Sequence, residues 1–216
     1  KKELAENVAK ITTKPWSVVC IGAPGVIDRA AGIDRSIPQL QWEDVPLVAD
    51  VKKFVDCEVL LENDAKLAGL AEARALKVPR HKVLYLTIST GIGGALVVDN
   101  KLDPEMEDSE PGHMLLEHDG KLQKWEAFAS GKAIYNRFNK LASDITDQGT
   151  WKLISHDIAV GLIDLMAVLQ PDIVIIGGGV GAHFDKFDNL LKAELKSYES
   201  PLVPIPPVVS AKNPEQ

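Results

Sequence analysis

The chain has 216 residues, a formal net charge of −7 and 45% hydrophobic residues. This composition is that of a folded globular protein, and the length allows one large domain or two small ones. The acidic balance argues against sequence-independent binding to nucleic acid, because phosphate contacts need clustered Lys and Arg. No stretch approaches the roughly 20 apolar residues of a membrane span, and two cysteines are too few for a disulfide scaffold. We therefore expect a cytoplasmic protein without a nucleic-acid or membrane partner.

Short β-branched runs alternate with patterns of helical spacing, which indicates an α/β fold. From the N-terminus we expect a helix over residues 1–11, a strand over 16–22, an irregular stretch to Trp42, a helix near 45–55, a strand over 58–63 and a helix over 64–76. We then expect a hairpin over 83–102, an irregular stretch over 103–125, helices over 126–141 and 156–169 (the second N-capped by Ser155), a strand over 172–176 and a helix over 186–198. Near residues 78–82 a helical composition gives way to the β-hairpin, which predicts domains of residues 1–79 and 80–216. Since the chain opens inside a helix and ends just after a strand, we expect the fold to be incomplete at both ends.

The strand over residues 58–63 brings Asn63 and Asp64 to its carboxyl end, where open α/β sheets form their binding crevices. Asp64 stands at the start of the following helix. One interpretation is an N-cap, whose carboxylate accepts hydrogen bonds from the first helical N–H groups. The other is a general base that accepts a proton from a substrate hydroxyl, with Asn63 as its hydrogen-bond partner. The dipeptide alone leaves both open.

A glycine turn, STGIGG, joins the two strands of the expected hairpin. Backbone N–H groups at Thr90 and Gly91 can approach a phosphate closely there, because glycine has no Cβ. The turn is not a Walker A loop, since no Lys follows and no helix opens. A plain glycine-rich hairpin is the alternative. Gly25, in the turn after the first strand, is a further candidate for the lining of a binding crevice, although Pro and Gly there need no function beyond turning.

A second glycine run ends the strand DIVIIGGGV. Gly178 and Gly179 would let a nucleotide base and ribose lie against bare backbone at this strand end. A close-packed crossing of two chain segments is the alternative interpretation.

Three polar residues, Glu110, His113 and Glu126, lie in segments of irregular pattern beside small or apolar residues. Two carboxylates and an imidazole can bind several hydroxyls of a sugar, since recognition of a polyol needs acceptors together with a few donors. A pair of solvated loops is the alternative interpretation.

Taken in order, these segments resemble the ROK sugar kinases, a branch of the actin-like ATPase superfamily. The resemblance extends from about residue 16 to residue 212 and rests on the motifs G-A-P-G, P-Q-L-Q-W, E-N-D-A, T-G-I-G-G, E-P-G-H, W-E-A-F-A-S-G and P-D-I-V-I-I-G-G-G-V. It implies the two-domain, ribonuclease H-like fold of the actin-like ATPases, closing over a central cleft. It also implies a hexose acceptor, most simply glucose, an ATP donor with Mg²⁺, and a homodimer.

The resemblance assigns roles residue by residue. Asp64 matches the catalytic base that activates the sugar hydroxyl. The positions that hold sugar hydroxyls fall on Asn63, Glu110, His113 and Glu126. The phosphate-binding turn falls on Thr90 and Gly91, and the adenosine-side turn on Gly178 and Gly179. Phosphoryl transfer requires such positioning together with charge neutralisation and a group that receives the hydroxyl proton.

The chain departs from the family pattern in four places, two of them single residues, Gln39 in place of a usual Asn and Ser89 in place of the first glycine of the phosphate turn. No cysteines follow His113, so we expect no structural zinc and assign no metal site; His118 and Asp119 are interpreted as part of a solvated loop. The family's D-x-G-G-T phosphate loop is absent. The alternatives therefore include a polyphosphate glucokinase, a sugar-sensing transcriptional regulator and a sugar-binding pseudokinase, and the sequence does not resolve which hexose is bound.

Overall fold

The structure is a computed structural model that describes Asn7 and residues 16–37 and 40–214. Apart from Asn7, the expected helix over residues 1–11 lies outside the described residues, as do Pro38 and Gln39. The chain forms two compact units, Lys1–Leu67 and Ala68–Gln216. The domain boundary expected after residue 79 stays a prediction.

The described residues of the first unit form two small sheets. Strands β1 (Val18–Ala23) and β5 (Glu58–Asn63) pair in parallel. The second sheet is antiparallel, in the order β2-β3-β4, with β2 at Val26–Asp28, β3 at Ile33–Ile37 and β4 at Trp42–Val45; helix α1 spans Leu47–Val51. The prediction that the chain is irregular up to Trp42 is therefore wrong. The strands there are short, and a buried aspartate, Asp34, replaces an apolar inward residue and hides the alternation.

The second unit is built on a five-stranded sheet in the order β12-β11-β6-β7-β8. Its strands are β6 (Lys82–Ile88), β7 (Ile92–Val98), β8 (Lys101–Leu102), β11 (Ile173–Gly177) and β12 (Val208–Ser210). Strand β11 is buried along its whole length, as expected for a strand that has a parallel neighbour, β12 or β6, on each side. Strands β6 and β7 form the expected hairpin, but β7 begins at Ile92, so Gly93 and Gly94 are strand residues and not part of the turn.

Helix α2 (Asp64–Arg74) begins in the first unit and continues into the second, whose described residues form five further α-helices. They are α3 (Glu126–Ala129), α4 (Gly131–Phe138), α5 (Gln148–Leu169), α6 (Gly178–Gly181) and α7 (Asp188–Ser197). The expected helix over 126–141 is interrupted at Ser130, whose side chain caps α4 by accepting a hydrogen bond from Ala133 N. Ser155 is not an N-cap: α5 begins earlier, Asp147 caps it, and the Ser155 hydroxyl donates to Trp151 O within the helix.

The segment expected to be irregular, 103–125, contains a second hairpin. Strands β9 (Leu115–His118) and β10 (Lys121–Lys124) pair antiparallel, with a turn at Asp119-Gly120. Its strands carry many charges, which concealed the pattern. No helix in the described part of the chain combines the length and apolarity that a bilayer span requires.

Candidate active site

Asn63 and Asp64 lie where strand β5 meets helix α2. Asn63 is buried and caps the helix: its Oδ1 accepts hydrogen bonds from Ala65 N at 3.0 Å and Lys66 N at 3.2 Å. Asp64 is exposed, its Oδ1 also accepts from Ala65 N at 2.8 Å, and its Oδ2 accepts no hydrogen bond from any described residue. The N-cap position therefore belongs to Asn63, which leaves a carboxylate oxygen of Asp64 available at the strand end.

The turn at Gly25 is hydrogen-bonded to the same end of strand β5. Gly25 has φ +102°, and a Cβ at this position would lie 2.0 Å from Ser36 O, so the backbone requires glycine. Its carbonyl oxygen accepts a hydrogen bond from Asn63 Nδ2 at 3.4 Å. Beside it, Arg29 donates two hydrogen bonds to Glu62, of 2.9 and 2.6 Å. Of the predicted site residues, the structure thus brings Gly25 and Asn63 into contact.

The predicted phosphate turn in the second unit is a tight loop, Ser89–Gly91. Ser89 N donates to Gly91 O at 2.9 Å, and Ser89 O accepts from Gly131 N at 2.6 Å. Gly91 faces Glu126, since a Cβ on Gly91 would lie 2.8 Å from Glu126 Oε2. The other oxygen of that carboxylate, Oε1, lies 3.3 Å from His113 Nε2. Three residues that the sequence placed in two separate roles therefore meet around one carboxylate.

The two glycines after strand β11 have different surroundings. Gly178 has φ +81°, and a Cβ there would come within 2.5 Å of Ile88 O, so its backbone is packed against the end of β6. Gly179 faces open space, where the nearest atom to a Cβ would be Ser89 Oγ at 3.9 Å. Gly178 thus lies where two chain segments pack closely, whereas the open side of Gly179 leaves space for a ligand.

A cavity of about 430 Å³ opens beside the loop and contains Thr90 and Gly179 in its lining. Its volume falls within the range of about 300–1,000 Å³ that is usual for small-molecule sites. None of the described residues that line it is acidic, and Lys132 adds a positive charge, so the cavity suits an anionic ligand.

Sequence reasoning missed four polar residues of this cavity: Lys132, Tyr135, Ser143 and His183. Lys132 and Tyr135 come from helix α4, Ser143 from the turn after it and His183 from a distant segment, so no single periodic pattern connects the four. The one available signal was the position of Lys132 directly after Ser130-Gly131, where the expected long helix is interrupted.

Glu110 lies just before His113, and its carbonyl oxygen accepts a hydrogen bond from His113 N at 3.0 Å. It also lines a separate cavity of about 160 Å³ whose other walls are mainly apolar, including Leu84 and Met114. The expected contact between Glu110 and a sugar hydroxyl stays a prediction.

The expectation that His118 and Asp119 belong to a solvated loop is wrong for His118, which is the last residue of strand β9 and whose side chain is only 14% exposed. In the structure, His118 Nε2 lies 3.0 Å from Asp157 Oδ1, so this nitrogen is already paired within the protein. No cluster of three or more His, Cys, Asp or Glu side chains among the described residues is arranged to hold a metal ion.

Burial raises the pKa of Asp157 above its usual value, although hydrogen bonding to His118 and the charge of Arg137 oppose this effect. The folded state then holds the proton more tightly than the unfolded state. Stability contributed by this group is therefore present below the usual pKa of about 3.9 and is lost as pH rises through the higher folded value. We expect the unfolding midpoint of the wild-type protein to fall relative to Asp157→Asn as pH rises from about 4, as measured by calorimetry.

Glu194 provides a control of opposite sign. A hydrogen bond from His156 lowers the pKa of this carboxyl, so its contribution is present above the usual pKa of about 4.3 and is lost as pH falls. The wild-type protein should therefore gain stability relative to Glu194→Gln as pH rises toward about 4.3, with little further change above that value. Equal pH trends for the two variants would contradict both assignments.

Comparison with known proteins relates nearly the whole chain to one protein family. The profile of the ROK family matches residues 2–215. A putative fructokinase of Bacillus subtilis (strain 168) is 30% identical over 74% of this chain and 59% of its own length. A xylose repressor of the same strain is 24% identical over 88% of this chain and 56% of its own length. The chain therefore spans between 56% and 59% of the length of these two relatives.

The crystal structure of a ROK family glucokinase from Streptomyces griseus, in complex with glucose and AMPPNP, shares the fold. Its TM-score is 0.80 at 23% identity, over 98% of this chain and 82% of that chain. This likeness confirms the predicted α/β fold of the actin-like ATPase type.

Proposed function

Because the chain belongs to the ROK family, we propose that the protein transfers the γ-phosphoryl group of ATP to a hydroxyl of a hexose, most simply the 6-hydroxyl of glucose. The observation that carries the proposal is the cavity lined by Thr90 and Gly179, a site of suitable volume and charge at the predicted donor turns. The fructokinase and glucokinase named among its relatives support a hexose acceptor.

The donor side of the proposal uses the second unit alone. Backbone N–H groups of Thr90 and Gly91 and the ammonium group of Lys132 would contact the phosphates, and Gly179 would leave room for the nucleoside. Tyr135, which also lines the cavity, would stack its ring on the adenine base. Mg²⁺ would enter with ATP, bound by phosphate oxygens and water, since this ion prefers oxygen ligands and retains part of its hydration. AMPPNP, bound by the Streptomyces griseus glucokinase, is an analogue of this donor.

On the acceptor side, His113 and Glu126 would hold hydroxyls of the sugar. Asp64 would accept the proton of the reacting hydroxyl, whose oxygen then forms a bond to the γ-phosphorus. The bond from that phosphorus to the bridging oxygen breaks, and ADP leaves with the electron pair. An exposed carboxylate with one oxygen unbonded to any described residue is suited to this role.

The proposal is tested by supplying the full-length protein with ATP and Mg²⁺ and measuring ADP in a coupled assay. We expect ADP to form only when a hexose is present, and a panel of glucose, fructose and mannose identifies the acceptor. Replacing ATP by polyphosphate tests the narrower alternative donor, and a higher rate with polyphosphate would favour it. ADP formation independent of any hexose would contradict the proposal.

A sugar-sensing regulator or a pseudokinase is the second candidate, since the xylose repressor matches most of this chain. Either would bind a hexose without forming ADP. Calorimetric titration of glucose, run beside the coupled assay, separates binding from turnover. Dimerisation and a cytoplasmic location stay predictions.

A further inference from the structure

The β9–β10 hairpin connects two of the proposed sugar-binding residues, His113 at its start and Glu126 at its end. Its outer face gains little from apolar burial, because Leu115 and Leu122 are 60% and 68% exposed. A two-stranded hairpin is marginally stable by itself in water. Its orientation must therefore be fixed by contacts with the rest of the second unit.

Leu116 of strand β9 packs against the apolar core, and the polar contacts of the hairpin converge on Asp157 of helix α5, whose side chain is only 5% exposed. Its Oδ1 lies 3.0 Å from His118 Nε2, at the end of strand β9, and its Oδ2 accepts a hydrogen bond from Arg137 Nη1 of helix α4 at 2.8 Å. Its backbone oxygen accepts from Trp125 Nε1 at 3.0 Å. One buried residue thus contacts the hairpin, the residue before Glu126 and a neighbouring helix.

The imidazole of His118 is held on its other sides as well. Gln123 Nε2 lies 3.3 Å from its Nδ1 and donates to its backbone oxygen at 3.1 Å. An amide donor at Nδ1 places the ring proton on Nε2, where it is donated to the carboxylate of Asp157. The ring also stacks on Phe128, with centroids 4.2 Å apart and planes 12° apart. Asp119 Oδ2 is a further charged group near Nδ1, at 3.6 Å, and is exposed.

The base of the hairpin transmits this anchoring to the proposed sugar-binding residues. Trp125 N donates to Met114 O at 2.8 Å, which closes the hairpin directly between His113 and Glu126. His113 Nε2 and Glu126 Oε1 are then 3.3 Å apart. A hairpin released from Asp157 can change its tilt, and this separation would change with it.

We propose that Asp157, through His118 and Arg137, positions His113 and Glu126 for hexose binding. His118, Arg137 and Asp157 are thus positioning residues that have no contact with the sugar. The inference rests on the proposed function, because it gives His113 and Glu126 their ligand.

Replacing His118 tests the inference. His118→Phe keeps an aromatic ring against Phe128 but removes the hydrogen bond to Asp157, whereas His118→Gln keeps an N–H that can reach the carboxylate. We expect His118→Phe to raise the hexose KM about tenfold, the scale of a lost hydrogen bond to a charged group, with the ATP KM nearly unchanged. His118→Gln should restore most of the hexose affinity.

His81→Phe is the control, because His81 Nδ1 pairs with Asp99 Oδ1 at a similar distance, 2.8 Å, but both of these side chains are exposed. This pair lies beside the Lys82↔Val98 end of the β6–β7 hairpin, at the opposite end from the Ser89–Gly91 loop. Both KM values of this variant should match those of the wild-type protein. A hexose KM of His118→Phe near the wild-type value, or an equal rise in the ATP KM, would overturn the inference.

Arg137→Met provides a second test if His118→Phe fails to fold. It removes one hydrogen bond from Asp157 while keeping most of the side-chain stem, and we expect a smaller rise in the hexose KM, about threefold. No rise would overturn the inference.

Hydrogen exchange separates this inference from the proposed function. In either variant, amides of residues 113–126 should exchange faster, while those of β6 and β7 should not. No hexose turnover by the wild-type protein would overturn the proposed function, and the inference would then be decided by this pattern and by hexose affinity in a calorimetric titration. Unchanged exchange over 113–126 would overturn it.

Discussion

Replacing Asp64 by Asn in the full-length protein should lower kcat for hexose phosphorylation by about 10²–10⁴-fold, the contribution usual for a general base. The amide has nearly the same shape but does not accept the hydroxyl proton. Its oxygen can still accept the hydrogen bond from Ala65 N, so helix α2 should begin as before. We therefore expect the hexose affinity, measured by calorimetric titration, to remain close to the wild-type value.

Asp56→Asn is the matched control for this substitution. Asp56 is an exposed carboxylate of the same unit, two residues before strand β5. Its loss should leave kcat and the hexose KM unchanged. A near-parental rate for Asp64→Asn would show that another group accepts the proton.

The second large effect is expected for Gly178→Ala, which should lower the stability of the folded protein. An alanine there would adopt a strained φ of +81° and would place its Cβ 2.5 Å from Ile88 O. Strain and backbone overlap together should lower the free energy of unfolding by about 3 kcal/mol or more. For a chain of this size the unfolding midpoint should fall by roughly 6–12 °C, as measured by calorimetry.

Gly179→Ala separates packing from ligand binding. The neighbouring position has space for a Cβ, so this variant should keep the wild-type unfolding midpoint. Because Gly179 lines the cavity, the added methyl group should instead raise the KM for ATP. Equal losses of stability in the two variants would contradict the different surroundings of these glycines.

Elements with long, uninterrupted apolar runs were predictable from the sequence. Strand β5, the start of helix α2 at Asp64 and strand β11 lie where the pattern placed them. Strand β11 is buried throughout, whereas strand β5 buries alternate side chains, Val59, Leu61 and Asn63; in both, local preference agrees with tertiary packing.

Short, charged strands were not predictable. The β2-β3-β4 sheet and the β9–β10 hairpin are built from strands of three to five residues, too short for a periodicity to appear. Helix α5 was expected to begin late because Ser155 is a favourable N-cap residue type; Asp147 is one too, and the buried Trp151 extends the helix toward it.

The candidate site was predictable only in part, because its residues are assembled from distant segments. The resemblance named Thr90 and Gly179, which line one cavity, and His113 and Glu126, which form a pair. Asp157, which anchors the β9–β10 hairpin from helix α5, carries no local sequence signal, and the only signal for Lys132 was its position after Ser130-Gly131. The resemblance also assigned Gly178 to the nucleotide site, and in the structure the backbone of Gly178 packs against Ile88.

Phosphorus NMR of the full-length protein mixed with ATP, Mg²⁺ and glucose tests the central claim most directly. We predict that the γ-phosphate signal of ATP disappears while ADP and a sugar phosphate ester appear in equal amounts. ADP accompanied by inorganic phosphate, or ATP that persists while glucose is bound, would contradict the account.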